Sequence, residues 1–318
     1  MSYTLLEPVI STHTESCGNN YLIVGSSSMQ GWRPTMEDSH TQILTLPNDP
    51  SAAFFGVYDG HGGAKIAQYA GKHLHTFITQ RPEYEENKIS EALQLGFMDM
   101  DTAMADDEML KNDYAGSTAV VVLIKDKVIY CANVGDSRAI ASVNGLVEPL
   151  SYDHKPNNEL ETKRIEAAGG FIISNRVNGN LALSRSFGDY RFKKNDKKKL
   201  DEQIVIAWPD IEIKPVSKDL EFIVLACDGI WDVMSNEEVV KFIRFRVSNG
   251  MDPEYICEDL MTRCLAPNGQ MGIGCDNMTV LIVCFLEDRT WRELQTKCSK
   301  PIPEKSNSLS TSRKINRN

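Results

Sequence analysis

Apolar residues along this chain fall into short runs of strand length, bounded by glycine, asparagine and aspartate. Two pairs of runs are separated by residues that favour tight hairpins, Lys125-Asp126-Lys127 and Asn144-Gly145. The pattern predicts strands at residues 21–27, 38–46, 53–58, 118–124, 128–134, 139–143, 211–213, 222–227 and 278–285.

Between the groups of strands, apolar residues recur every three to four positions, which is the spacing of one helix face. The predicted helices cover residues 64–78, 89–104, 158–168, 235–247 and 253–265. Ser235 is a suitable N-cap for one of them, and Gly169-Gly170 a suitable stop for another. Because groups of strands alternate with pairs of helices, the order favours antiparallel sheets with helices packed outside, an α+β fold.

Composition limits what such a fold can do. The chain has 318 residues, of which 42% are hydrophobic and 25% charged, enough for a sizeable core. Its net charge of -10 argues against a nucleic-acid partner. No run of about 18 apolar residues is present, so we expect no membrane span.

The N-terminus and the cysteines bear on location. The start of the chain lacks the basic and long apolar segments of a signal peptide, and Ser2 stands where N-myristoylation needs glycine. The eight cysteines include no C-x-x-C pair, and we expect reduced thiols rather than a disulfide framework. We therefore expect a protein of the cytoplasm, the nucleus or both, neither secreted nor transmembrane.

Carboxylates recur at the ends of the apolar runs, and they suggest metal chemistry. They occur at Glu37-Asp38, Asp59-Gly60, Asp136, Asp228 with Asp232, and Asp276-Asn277. Gathered on one rim, such acids would repel by several kcal/mol for a close pair at low dielectric, and hard cations such as Mg²⁺ or Mn²⁺ would offset this. The plainer alternative is that each aspartate caps its own turn. Zinc is disfavoured, because no His and Cys cluster stands at ligand spacing.

Seven segments around these acids combine glycine, aromatic residues and acids in unusual strings, such as Met-Gln-Gly-Trp-Arg at 29–33 and Asp-Gly-His-Gly-Gly at 59–63. The segments span residues 29–38, 55–63, 116–119, 132–138, 181–189, 225–232 and 274–279. In order and spacing they resemble the signatures of the type 2C, metal-dependent protein serine/threonine phosphatases. The resemblance implies a β-sandwich of two antiparallel sheets flanked by pairs of antiparallel α-helices.

The resemblance also divides the chain into parts. Residues 1–20, which are polar and lack periodicity, form an N-terminal extension. Residues 21–290 form the phosphatase catalytic domain. Residues 299–318, rich in Ser, Lys, Asn and Pro, form a disordered tail. We expect a monomer.

A site for two Mn²⁺ or Mg²⁺ ions between the sheets is implied as well. Asp59 would bridge the ions, and Gly60 would give its backbone carbonyl to one of them. The other implied ligands are Asp228 and Asp276 for the second ion, Glu37 and Asp38 for the first, directly or through water, and Asp136 with Asp228 and Asp232 at a weaker third site.

Two further residues suit phosphate hydrolysis by a water that bridges the ions. The Arg33 guanidinium can bind two phosphate oxygens at once. His61, whose ordinary pKa lies near neutral pH, can protonate the departing oxygen. The alternatives are a surface ion pair for Arg33 and a hydrogen bond within its own turn for His61. No cysteine nucleophile is needed, so Cys227 is not expected to act as one.

The resulting prediction is an enzyme that removes phosphate from phosphoserine and phosphothreonine in substrate proteins. One alternative is an inactive family member that acts as a binding or scaffold protein, although every expected site position is filled. Another is a metal-dependent hydrolase of small phosphoesters or nucleic acid. The basic stretch at residues 191–199 either steers acidic phosphoproteins to the site or is a solvated loop.

Overall fold

The computed structural model describes residues 4–111, 113–287 and 289–302. The strands are β1 (Val9–Gly18), β2 (Leu22–Gly31), β3 (Ser39–Ile43), β4 (Ala52–Tyr58), β5 (Gly60–His61), β6 (Gly116–Ser117), β7 (Ala119–Lys125), β8 (Val128–Val134), β9 (Arg138–Val143), β10 (Leu146–Pro149), β11 (Ile172–Ile173), β12 (Arg176–Val177), β13 (Phe187–Gly188), β14 (Asp210–Pro215), β15 (Leu220–Ala226) and β16 (Met278–Phe285). The helices are α1 (Lys65–Thr79), α2 (Pro82–Glu85), α3 (Ile89–Asp106), α4 (Glu159–Ala167), α5 (Asp228–Trp231), α6 (Asn236–Ser248), α7 (Pro253–Cys264) and α8 (Trp291–Cys298).

Two large antiparallel sheets form the centre of the molecule. One has six strands in the order β1-β2-β16-β15-β9-β10, and the other has five in the order β14-β8-β7-β4-β3. Two hairpins within them turn on two residues that both have positive φ, Asp126-Lys127 and Asn144-Gly145. Turns of this kind match the twist of the flanking strands, which explains why the sequence marked both places.

Three apolar layers hold the sheets and helices together. Alternate side chains of the two sheets, such as Val57 and Leu281, fill the space between them. Helices α1 and α3 cover the outer face of the five-stranded sheet, and α6, α7 and α8 cover that of the six-stranded sheet. Central strands are thus buried on both faces and show continuous apolar runs. The predicted β-sandwich flanked by helix pairs is confirmed.

The N-terminal segment does not lie outside this domain, as the prediction for residues 1–20 had it. Strand β1 pairs with β2 and forms one edge of the six-stranded sheet. Thr14 Oγ1 also donates a hydrogen bond of 2.6 Å to Glu258 of α7. Most β1 side chains are exposed, so an alternation of apolar and polar residues is missing there and the sequence pattern did not reveal the strand.

The end of the described chain adds a helix that the hydrophobic pattern did not predict. The side chain of Thr290 accepts a hydrogen bond from Glu293 N, and Glu293 caps Thr290 in return, so a capping box starts α8. Leu294 and Cys298 pack into the core beside α6. Of the predicted disordered tail, residues 303–318 lie outside the described residues.

The state of the cysteines and the length of the helices can also be compared with the expectations from the sequence. All eight cysteines fall within the described ranges, and all are free thiols. No helix in the described ranges is both long and apolar enough to cross a lipid bilayer.

A small three-stranded sheet at one end of the sandwich brings three distant loops side by side. In it β6 pairs with β5 on one side and with β13 on the other. The register sets His61 opposite Gly116, and Gly116 opposite Gly188. This arrangement positions one wall of the site described next.

Candidate active site

One end of the sandwich gathers the acids that the sequence marked. Asp59 directly follows β4, Asp228 begins α5 just after β15, and Asp276 stands two residues before β16. These strand ends open onto a cavity of about 600 Å³. The predicted site residues that line the cavity are Arg33, Glu37, Asp59, Gly60, His61, Asp136, Asp228 and Asp276.

The other two predicted ligands, Asp38 and Asp232, do not line the cavity. Asp232 is exposed at the end of α5. Asp38 is buried, and Thr279 Oγ1 donates to its Oδ2 at 2.7 Å. Its Oδ1 finds no hydrogen-bond partner within the described residues. A buried carboxylate oxygen without a partner is costly, which suits a site completed by a cation.

Asp38 belongs to a tight group of donor atoms that the sequence spacing could not reveal. One oxygen each of Asp38 and Asp59 and the sulfur of Cys227 lie within 4.8 Å of one another. The Cys227 sulfur accepts a hydrogen bond of 3.2 Å from Thr279 N, and burial raises the pKa of its thiol well above the usual range. Cys227 is therefore a protonated core thiol, which makes it a poor nucleophile and a poor ligand for a hard cation.

Only part of the negative charge at this rim is matched by side-chain cations. Arg33 Nη2 lies 2.5 Å from Asp276 Oδ2, and Lys155 Nζ contacts Asp136 Oδ2. Arg33 thus forms a partly exposed ion pair, as the alternative for this residue had it, and its partner is one of the predicted site acids. Among the ion pairs formed by the described residues, none includes Asp38, Asp59 or Asp228.

The pKa values of Asp38, Asp59 and Asp228 are all raised, as expected for buried carboxyl groups without a paired cation. Burial, followed by the negative charge of Asp228 and Asp38, raises the pKa of Asp59 well above its usual range. Burial and the charges of Asp136 and Asp276 do the same for Asp228. Burial raises the pKa of Asp38 to about 7. Cations bound at the rim would reverse these shifts, because they favour the ionised carboxylates.

Backbone and side-chain hydrogen bonds fix the central acids in place. Asp59 N donates to Thr118 Oγ1 at 3.1 Å, and Thr118 N donates to Asp59 O at 2.9 Å. Glu37 Oε2 accepts from Gly63 N at 3.1 Å, and Glu37 N donates to Asn277 Oδ1 at 2.9 Å. These bonds join β4, the loop before β3 and the start of β16, so the rim is preformed.

Gly60 is required by a close approach of two chain segments. A Cβ atom there would lie 2.3 Å from the backbone oxygen of Glu37. Only glycine allows the turn after Asp59 to pass so near the acidic loop. Gly60 therefore lines the same cavity as Glu37 and Asp59.

His61 does not simply bond within its own turn, as the plainer reading had it. Its Nε2 lies 2.7 Å from Oδ2 of Asp189, which is buried. Burial lowers the pKa of His61, but the Asp189 carboxylate, together with the negative charges of Asp136 and Glu37, raises it, and the net shift is upward. The sequence reasoning gave no role to Asp189, although the residue ends one of the seven segments. Its signal was an acid placed directly after Gly188 in that segment.

The basic stretch at residues 191–199 divides into parts with different surroundings. Arg191 lines the cavity together with Arg176. Lys193 Nζ instead donates to Asp101 Oδ2 at 2.7 Å and is largely buried. Lys197 is exposed and does not line the cavity. Only Arg191 of this stretch therefore lies where it could contact a substrate at the acids.

A two-sheet sandwich with outer helix pairs and an acid-lined cavity defines the class of metal-dependent protein phosphatases. The sequence profile described as Protein phosphatase 2C matches residues 22–271. The chain belongs to the protein phosphatase 2C family, whose members are metal-dependent serine/threonine phosphatases. The predicted family resemblance and enzyme class are confirmed.

Individual relatives agree with this assignment. A probable protein phosphatase 2C of Caenorhabditis elegans is 55% identical over 302 residues, covering 95% of this chain and 85% of the relative. Protein phosphatase 2C homolog 2 of Schizosaccharomyces pombe is 48% identical, covering 91% of this chain and 80% of the relative. A crystal structure of a phosphatase from Toxoplasma gondii aligns with a TM-score of 0.74 and 26% identity, over 86% of this chain and 96% of that one.

Proposed function

We propose that this chain is an active phosphatase that uses two Mn²⁺ or Mg²⁺ ions to hydrolyse phosphoserine and phosphothreonine in substrate proteins. The observation that carries the proposal is the group of partly or fully buried acids at one rim, Asp38, Asp59 and Asp228, whose charge no ion pair of the described residues offsets. A protein keeps such charge where a ligand of opposite sign completes the site.

The proposed ligands are those that the family resemblance implies, and all of them except Asp38 and Asp232 line the cavity. Asp59 would help to hold both ions, and the Gly60 carbonyl would help to hold one of them. The remaining ligands would be Glu37 and Asp38 for that ion, Asp228 and Asp276 for the other, and Asp136, Asp228 and Asp232 for a weaker third. Lys155 already contacts Asp136, so a third ion would compete with its ammonium group.

The residues around the ions supply the rest of the chemistry. When bound, such ions would lower the pKa of a coordinated water and so supply a nucleophile near neutral pH. Arg33 lines the cavity, and its guanidinium presents paired donors that match two phosphate oxygens. His61 lines the same cavity and would protonate the departing serine or threonine oxygen.

The test is phosphate release from a phosphothreonine peptide in the presence of Mn²⁺ or Mg²⁺. Excess EDTA and the variant Asp59→Asn should each abolish it, whereas Asp126→Asn, in an exposed hairpin turn, should leave it unchanged. Activity that survives both chelation and the Asp59 substitution would refute the proposal. Metal binding without any turnover would point instead to a scaffold protein, and faster cleavage of nucleic acid or small phosphoesters to another hydrolase.

A further inference from the structure

A buried carboxylate holds one side of the His61 ring. His61 Nε2 lies 2.7 Å from Asp189 Oδ2, and because an ionised carboxylate only accepts hydrogen bonds, Nε2 carries the hydrogen. We propose that Asp189 is a positioning residue for catalysis, which fixes the ring so that Nδ1 faces the departing serine or threonine oxygen. This inference rests on the proposed role of His61 as the proton donor.

Asp189 is itself held rigidly. Its backbone adopts a left-handed conformation with φ of 50°, which is uncommon for a residue other than glycine and is maintained here by its contacts. Ser186 Oγ donates to Asp189 Oδ2 at 2.7 Å, and Asp189 N donates to the Ala115 carbonyl at 3.1 Å. The carboxylate is therefore held through Oδ2, which Ser186 and His61 share, whereas its buried Oδ1 has no hydrogen-bond partner among the described residues.

The small sheet leaves a gap of the right size for this pair. Gly116 stands between His61 and Gly188 in the register of β5, β6 and β13. A Cβ atom at Gly116 would lie 2.2 Å from Asp189 Oδ2 and 2.5 Å from His61 Nε2. The absence of a side chain at this one position lets the histidine and the carboxylate meet.

A second layer ties the Asp189 segment to helix α3. Gly188 N donates to Asp101 Oδ1 at 2.9 Å, on one side of Asp189. On the other side, Lys193 Nζ donates to Asp101 Oδ2 at 2.7 Å and to the Ser186 carbonyl at 2.9 Å. The pairing of Asp189 with His61 is thus built into the fold before substrate arrives, as outer contacts of a catalytic group are expected to be.

The choice of substrate separates a positioning role from a merely structural one. A serine or threonine oxygen leaves poorly unless it is protonated, so its departure depends on the placement of His61. p-Nitrophenolate is a stable anion and leaves without a proton donor. Loss of Asp189 should therefore slow the peptide reaction and spare the p-nitrophenyl phosphate reaction.

The experiment compares kcat and KM for a phosphothreonine peptide and for p-nitrophenyl phosphate at saturating Mn²⁺. Asp189→Asn should lower kcat on the peptide about 10- to 100-fold, with KM unchanged and the aryl phosphate affected at most about threefold. His61→Gln should show the same selectivity, and the double variant should be no slower than His61→Gln alone. Asp126→Asn serves as the matched control that leaves both reactions unchanged.

Two results would overturn the inference, and they are distinguishable. If His61→Gln is selective but Asp189→Asn slows both substrates equally, Asp189 is not a positioning residue. If His61→Gln itself shows no selectivity, the proposed role of His61 fails first. Should Asp189→Asn not fold, Ser186→Ala decides, because it removes one donor to Asp189 and leaves His61 in place: a smaller but selective loss supports the inference, and an unselective one refutes it.

Discussion

Two regions of this molecule bury carboxylates, but only one of them pairs the carboxylate with a buried cation. In the six-stranded sheet, Glu221 is fully buried and accepts hydrogen bonds from Arg244 Nη2 at 3.2 Å and from Ser142 Oγ at 2.6 Å. At the cavity rim, Asp59 and Asp228 have other acids as neighbours. Matched charge joins parts of the fold at Glu221, whereas the unmatched charge at the rim supports the proposal that cations bind there.

The two arrangements have different consequences for stability. Removing one partner of a buried ion pair destabilises a protein by about 3–5 kcal/mol, because the other charge is left alone. Removing one of several repelling acids relieves repulsion instead. We therefore expect the rim to lower the stability of the metal-free protein, and the proposed cations to restore it when bound.

The largest expected effect comes from changing the acid at the centre of the rim. Asp59→Asn should reduce kcat/KM on a phosphothreonine peptide by about 10³-fold or more, because in the proposed mechanism the nucleophile depends on ions that Asp59 would bind. Calorimetric titration with Mn²⁺ should show that tight binding is lost as well. An Asp59→Asn protein that binds Mn²⁺ as the unmodified chain does would show that the rim charge has another purpose.

Removing one member of the matched pair Glu221 and Arg244 should lower stability and leave activity unchanged. Glu221→Gln leaves Arg244 buried without a counter-charge, so the free energy of unfolding should fall by about 3–5 kcal/mol in urea titrations. The activity of each folded molecule should stay the same, since Glu221 does not line the cavity. A loss below about 1 kcal/mol would show that the pairing of Glu221 with Arg244 contributes little to stability.

The dependence of stability on pH should reveal the raised pKa of acids such as Asp38. Burial raises the pKa of Asp38 from 3.8 to about 7, so between these values the folded state binds more protons than the unfolded state. The free energy of unfolding of metal-free protein should therefore decline as pH rises from about 4 to about 7. Saturating Mn²⁺ should weaken or reverse the decline, because the ion favours the ionised carboxylates. Equal slopes with and without metal would contradict this account.

The smallest expected effect concerns positive charge near the cavity mouth. Arg191→Gln should raise KM for an acidic phosphopeptide about two- to fivefold at low salt, and less at high salt, because the charge acts at short range. Lys197→Gln, which changes an exposed residue of the same stretch, should change KM by less than about twofold. KM for p-nitrophenyl phosphate should be unaffected by either. Equal effects on the peptide and the aryl phosphate would exclude steering.

Much of the fold was readable because its strands are buried on both faces. The predicted strand at 128–134 and the structural β8 coincide, and so do 278–285 and β16. Strand β1 escaped prediction because it is an exposed edge, where pairing with β2 rather than side-chain burial defines the strand. Helix α8 is short, and its only strong signal was the capping box at Thr290 and Glu293.

At the site, the candidate acids could be predicted from the sequence, but the residues that contact them could not. Asp59 and Asp228 follow apolar runs directly, so their place at strand ends could be inferred. The contact between His61 and Asp189 joins residues 128 positions apart, and the support from Asp101 comes from a third element. Contacts of this kind depend on how loops meet in three dimensions, and no local pattern encodes them.

At the rim, no ion pair among the described residues matches the charge of Asp38, Asp59 or Asp228. Thermal unfolding of metal-free protein near pH 7.5 tests for this unmatched charge directly, with Asp59→Asn and Glu221→Gln measured beside the unmodified chain. Because it removes one of several repelling acids, Asp59→Asn should raise the melting temperature by about 2 °C or more, whereas Glu221→Gln should lower it. A lower melting temperature for Asp59→Asn in the absence of metal would contradict the presence of unmatched charge at the rim.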